Sequence, residues 1–346
     1  MLRRSFIVTG TVAAAAVFAQ QKPDEKKPDQ PKPEEKKDDD TAVAGATQDP
    51  TPRVGVILSS FKEGEDDDGT KIVGLSDPQP PTADLTPAQL DAWVRKAIEL
   101  GALRHSQIYE VIEPEDWIVV KTRPATDSRI VAITISHLAE HKRGLRFSII
   151  DRLAQGVEWP EEYRKMVADL GARFPKVRFE LVDLNSTPTA DLPVADKPGV
   201  SYSIPKIVQQ CDRLISIAPL AMDAVMGVSL SVGNYATISA KPVTTDEALI
   251  DVFSYRPADL ALVGGSWAIE GDGVRVHYNV LIAGMKAVAV DSVAAQVMGF
   301  KPAELPFLGI GSKRGFGSTE PDEIWARGND IKDARHDFKR SPAWHK

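Results

Sequence analysis

From Val54 to Met298 the sequence alternates between short apolar runs and amphipathic stretches, and this alternation limits the possible folds more than any other feature of the chain. The apolar runs Val54–Leu58, Trp117–Val120, Arg146–Ile150, Val177–Val182, Arg213–Ala218, Leu260–Val263, Val280–Ala283 and Ala287–Val290 read as strands. Helical patterns cover Ile130–His141, Glu161–Ala172, Ile204–Cys211, Asp246–Phe253 and Asp291–Met298. Another helix starts at Thr86, where Thr86, Pro87 and Gln89 form an N-cap, a first-turn proline and a capping box. Leu90, Trp93, Val94, Ala97 and Ile98 supply its apolar face, and Gly101 stops it. Strands alternating with helices imply an α/β fold: a mainly parallel sheet with helices on both faces.

The first fifty residues do not share this pattern. Arg3 and Arg4 precede a mildly apolar stretch, Phe6–Ala16, and Val17-Phe18-Ala19 suits a small-residue cleavage site. Residues 1–19 are therefore expected to be an export signal, and Arg3-Arg4-Ser5-Phe6-Ile7 resembles the twin-arginine type. Residues 20–40 contain no apolar side chain, so the segment 20–50 is expected to be a disordered, proline-rich and charged linker. Residues 51–346 remain as a single α/β domain. The mature form is expected outside the cytoplasm, periplasmic or extracellular, with no transmembrane span, because no apolar run reaches the roughly 18 residues that a spanning helix needs.

Charge and cysteine content exclude several functions. The formal charge is −7 and becomes −9 once Arg3 and Arg4 leave with the signal, so no basic face for nucleic acid is expected. A single cysteine, Cys211, cannot form an intrachain disulfide, a thiolate zinc cage or a cysteine-held iron–sulfur cluster. No cofactor is evident from the sequence. Cys211 precedes an apolar strand and reads as buried.

In parallel α/β folds, ligands sit at the carboxyl ends of strands. That rule selects Lys121 and Arg123, Asp151, Asp183, the segment after Pro219, the Glu270–Gly273 turn, and Asp291 at an expected helix start. Two cations at one strand end suit a carboxylate or phosphate, the arginine offering a bidentate fork. Glu270, Asp272 and Asp291 are carboxylates of the kind a hard cation takes. Each aspartate is equally what a turn cap or an N-cap uses, and the sequence leaves both roles open.

The C-terminal third carries a family pattern. Arg256-Pro257-Ala258-Asp259-Leu260 is followed by Glu270-Gly271-Asp272-Gly273, then by Val288-Ala289-Val290-Asp291-Ser292-Val293-Ala294-Ala295 with Met298-Gly299-Phe300 behind it. Gly315-Phe316-Gly317 closes the series. Upstream, Val119-Val120-Lys121 and Asp212–Ile217 with Pro219 also match. In this order the chain resembles domain-of-unknown-function family 362 (DUF362) from about Val54 to Gly328. The resemblance implies a fold and a pocket rather than a reaction. The family usually continues from the proline into Lys and His, and later has a Lys-Asn pair. Here Leu220 and Ala221 follow Pro219, and only Asn234 of the pair is kept, as Gly233-Asn234. Many members carry ferredoxin-like cysteines, so this chain is expected to be an exported branch without them. Lys121-Thr122-Arg123-Pro124 is also similar to the Thr-Arg-Pro turn of nickel-dependent lactate racemases, but the His and Lys that surround the cofactor there are not assembled in this sequence.

His137-Leu138-Ala139-Glu140-His141 fits the H-x-x-E-H zinc string, with two histidines on one helix face. No third ligand is evident, and a histidine at a helix C-terminus is favoured by the dipole alone, so His137 and His141 are weak metal candidates. Gly311–Gly317 is glycine-rich and basic, either an anion cradle or a plain loop, without Walker spacing. Three readings follow. The first is an exported protein with a small anionic-ligand site, Lys121 and Arg123 facing Asn234, Glu270, Asp272 and Asp291; it includes a degenerate enzyme. The second is a non-catalytic interaction protein whose partner the sequence does not identify. The third, more remote, is a metal-dependent hydrolase.

Overall fold

Eight strands make the long path of the main sheet: β1 Arg53–Leu58, β2 Trp117–Lys121, β3 Arg146–Asp151, β4 Arg178–Asp183, β5 Arg213–Ala218, β6 Leu260–Ile269, β7 Arg275–Gly284 and β8 Trp325–Gly328. Their order is β8-β1-β7-β6-β5-β2-β3-β4. Only β7 runs against the others, pairing antiparallel with both β1 and β6; every other pairing along this path is parallel. The computed structural model describes residues 51–65, 69–102, 108–195, 197–241 and 243–344, so the expected signal 1–19 and linker 20–50 lie outside the described residues. Among the described residues no helix is long and apolar enough to cross a membrane.

Successive residues of each strand face opposite layers, as a pleat requires. Ile118, Val120, Ile215, Ile217, Leu260 and Leu262 pack with helices α1 Pro87–Leu100, α2 Ser128–His141 and α3 Glu161–Arg173. Val119, Leu214, Ala261 and Val263 pack on the other side, with α4 Lys206–Gln210, α5 Asp246–Ser254, α6 Ala287–Val297 and α7 Pro306–Lys313. Strands buried on both faces explain their near-continuous apolar runs. The α1 start has both halves of its capping box: Gln89 N donates to Thr86 Oγ1 at 3.3 Å, and Thr86 N donates to Gln89 Oε1 at 2.9 Å.

Three of the differences from expectation bear on the site. Ala287–Val290 is the first turn of α6 rather than a strand, which places Asp291 inside the helix and not at its N-cap. Nearly all of α6 is buried, so its apolar run carries no period to separate strand from helix. The helix expected from Ile204 to Cys211 is only Lys206–Gln210, because Ile204 and Pro205 end a hairpin strand, Ser201–Pro205, paired with Thr189–Pro193. Finally, β6 continues past Val263 to Ile269 through a break in register between Gly265 and Trp267.

Candidate functional site

Lys121 ends β2 on the face that Val119 shares with the α4–α7 layer. It is wholly buried. Its ammonium donates to Asp151 Oδ1 at 2.8 Å, to the Thr122 carbonyl at 2.9 Å and to Asn234 Oδ1 at 3.3 Å. Three acceptors satisfy its three protons. Asp151 ends the neighbouring strand, β3, and also accepts from Thr237 Oγ1 at 2.8 Å. Burial pushes the Lys121 ammonium down to about 8; Asp151 opposes the shift, while Arg123 and Arg152 add to it.

Asn234 lies in a short 3-10 helix, Gly233–Thr237. Its amide donates to the Lys121 carbonyl at 3.0 Å and to the Ile217 carbonyl and Ser216 Oγ at 3.2 Å, joining the ends of β2 and β5. Arg123 reaches the same segment, donating from Nη2 to the Gly233 carbonyl at 2.9 Å and from Nε to Asn234 Oδ1 at 3.3 Å. Arg152 holds the far end, donating to the Thr237 and Ile238 carbonyls at 3.1 and 3.0 Å. Lys121, Arg123, Asp151 and Asn234 are thus brought together.

Asp291 joins this cluster at one remove. Its carboxylate accepts from Ser231 N at 2.9 Å, Ser231 Oγ at 2.6 Å and Val232 N at 2.8 Å. Ser216 Oγ donates in turn to the Ser231 carbonyl at 2.8 Å and lies beside Asn234. Asp291 therefore fastens the start of the segment that Asn234 continues. Burial pushes its carboxyl up to about 7 against those hydrogen bonds. The residues that link these groups, Ser216, Ser231, Thr237 and Arg152, carried no signal in the sequence, because each acts through partners distant along the chain.

Glu270 and Asp272 stand apart, which corrects their expected place on the opposite wall. They occupy the β6–β7 turn, seven to nine residues beyond Val263, the partner of Ala218 at the end of β5. Ile269, just before this turn, pairs with Ala221 and donates to the Leu220 carbonyl at 2.8 Å, in the segment after Pro219. The partners of Glu270 and Asp272 are Lys339 and His336 of the C-terminal segment. Asp183 caps the turn Leu184–Ser186. In the basic glycine-rich stretch, Gly311–Lys313 ends α7, and Arg314 ion-pairs with the buried Asp251 at 2.8 Å. Cys211 is buried, and its thiol is pushed up to about 11 by that burial.

The histidine pair is packed as side chains of α2. Arg95 Nη1 lies 2.9 Å from His137 Nδ1, and the Tyr109 ring stacks on His141 at 4.2 Å. Glu140, which a zinc reading would make a participant, pairs with Arg95 and Arg173. Burial, then His141 and Arg95, push His137 down to about 4. Among the described residues no group of three or more His, Cys, Asp or Glu side chains could hold a metal ion.

An open cleft of about 390 Å³ begins at Pro124, directly after Arg123. Its walls are the turn from Pro124 to Arg129, Glu162, Pro219, and the hairpin residues Gly264, Gly265, Trp267 and Arg275. The consecutive glycines inside an apolar run were the sequence signal for the bulge that shapes it.

A mainly parallel sheet covered on both faces, with a polar cluster and a cleft at the carboxyl ends of its central strands, defines a doubly wound α/β protein. The chain belongs to the family described as domain of unknown function DUF362, whose model matches residues 114–296, from just before β2 to within α6. No curated protein matches it. Among solved structures it is similar to the lactate racemase apoprotein from Thermoanaerobacterium thermosaccharolyticum, at 14% identity and a TM-score of 0.39. That alignment covers 67% of this chain and 61% of the other, so this chain spans about three fifths of that protein's length.

Proposed function

We propose that this protein binds a small organic anion at the carboxyl edge of its parallel strands, in the cleft beside Arg123. One observation carries the reading. Arg123, Arg152 and Arg275 have no ion-pair partner among the described residues, and the hydrogen bonds of Arg123 and Arg152 go only to neutral carbonyl and amide oxygens. Lys121, by contrast, is neutralised by Asp151. Lys121 therefore acts as a positioning residue that fixes the Arg123 turn, and of the three arginines Arg275 lines the cleft and supplies the attraction there. With Leu220 and Ala221 in place of the family's Lys and His, binding without turnover, as in a degenerate enzyme, is the form proposed. The Arg3-Arg4 start and the cleavage-like Val17-Phe18-Ala19 support export, by the twin-arginine route, to the periplasm or beyond.

Thermal-shift titration with formate, acetate, benzoate and inorganic phosphate tests the reading. At least one anion is expected to raise the melting temperature. Arg275→Gln is expected to shrink that shift while the anion-free melting temperature stays within a few degrees. An identical shift profile in the variant overturns the reading.

A further inference from the structure

The anion reading leaves open what the rest of the ligand is, and the cleft wall bears on that question. We infer that the ligand is an aromatic monocarboxylate, its ring lying on Trp267 and its carboxylate on Arg275; the inference rests on the anion reading.

Strand β6 is built to present Trp267. Gly264 and Gly265 take φ values of 119° and 151°, and the register slips between Gly265 and Trp267. At Gly264 a side chain is impossible, since a Cβ would lie 2.2 Å from the Val280 carbonyl oxygen. A bulge of this kind re-aims the following side chain. Ser266 turns inward, 5% exposed, and Trp267 is left 39% exposed on the cleft wall. The other exposed large apolar residues among those described are all valines, so Trp267 is the most exposed Phe, Tyr or Trp side chain among the described residues.

The ring is fixed in place. His277, its register partner across the hairpin, stacks on it at 4.4 Å with a 19° interplanar angle. Arg275, on the same face of β7 as His277, places its guanidinium 5.8 Å from the indole centroid. A flat ring with an unpaired cation beside it is the complement of a flat ring bearing a carboxylate. The remaining walls suit a flat guest: Pro124 and Pro219 are rigid and apolar, and the two glycines project nothing. The other lining charges limit the ligand's charge. Arg129 is held by Asp127 through two hydrogen bonds, of 3.0 and 2.6 Å, and is spent. Glu162 has no ion-pair partner among the described residues and repels a second negative charge.

The test compares benzoate with cyclohexanecarboxylate, equal in charge and close in size but not flat, and with phthalate, by calorimetric titration of the folded protein. Benzoate is expected to bind about fivefold tighter than cyclohexanecarboxylate, as one aromatic stack provides, and tighter than phthalate. Trp267→Leu is expected to remove that preference without lowering the melting temperature, Trp267→Phe to keep most of it, and Arg275→Gln to weaken all three acids together. Equal binding of the two monocarboxylates, or a preference unchanged in Trp267→Leu, overturns the aromatic assignment and leaves the anion reading standing. No binding of any carboxylate overturns both.

Discussion

The ammonium of Lys121 and the carboxylate of Asp151 meet at 2.8 Å beneath the surface, the lysine wholly buried and the aspartate 4% exposed. Each closes one of two adjacent parallel strands, so the pair fixes how β2 and β3 end relative to one another. The buried pair is weak evidence for stability, but breaking it is costly, because the surviving charge has nowhere to go.

Asp151→Asn is therefore expected to destabilise the protein by about 3 kcal/mol near pH 7, read by urea denaturation. Lys121 already sits at about 8 in the fold, below its ordinary 10.5, because of burial. Between those values the unfolded chain holds more protons, so this group's contribution to stability rises with pH there. Without Asp151 the lysine falls further and releases its proton more readily. The Asp151→Asn penalty should thus shrink as pH rises to about 8 and level off above it; a penalty that does not fall on the way to pH 8 would contradict the arrangement.

Asp291 gives the opposite slope. Its folded value, about 7, lies above its ordinary 3.8, because burial disfavours the charged form. Between the two the folded protein holds the extra proton, so the stability this group contributes is complete below about 3.8 and is lost as pH rises through 7. Measured against Asp291→Asn, the wild-type advantage is expected to decline from pH 4 to pH 7. A difference that grows with pH over that interval would show that Asp291 is not buried as described.

For His137 the sign reverses again. The fold holds it near 4, below the ordinary 6.5, chiefly through burial. Its contribution is present above 6.5 and lost as pH falls toward 4. His137→Gln should flatten the acid limb of the stability curve. Zinc should leave the melting temperature of the wild type unchanged, since Glu140 is engaged by Arg95 and Arg173; a saturable zinc stabilisation lost in the variant would restore the metal reading.

These contacts also show where the sequence was informative. Lys121 and Asp151 were found because they directly follow apolar runs, and the strand-end rule needs nothing else. Glu270 and Asp272 follow such a run too, but the run continued through the Gly264–Gly265 bulge, which carried them beyond the strand end expected at Val263 to the tip of the β6–β7 hairpin. Asp291 was recognisable as important and misplaced within its helix, since an apolar stretch buried all round has no period. Ser231 meets Asp291 60 positions away, and Trp267 lines a cleft closed by residues from four other segments; long-range closure of that kind leaves no local trace.

Gly271 provides a last test, this one of the hairpin tip. The C-terminal segment crosses it so closely that a Cβ on Gly271 would lie 2.1 Å from the Ser341 amide nitrogen and 2.3 Å from the Arg340 carbonyl carbon. The Gly271 amide donates to the Lys339 carbonyl at 2.8 Å, and Asp272 pairs with the Lys339 side chain. Gly271→Ala cannot be accommodated by a side-chain shift, because both close atoms are backbone. The segment from Lys339 must lift, releasing Trp344 from Phe300, on which its ring packs at 5.2 Å. The strands of the sheet do not depend on that contact. The expected result is faster amide exchange and proteolysis from His336 to Trp344, with little change in the central strands. Unaltered protection of the C-terminal segment would mean that Glu270 and Asp272 are not tied down by the tail, and would return them to the list of residues available for a ligand.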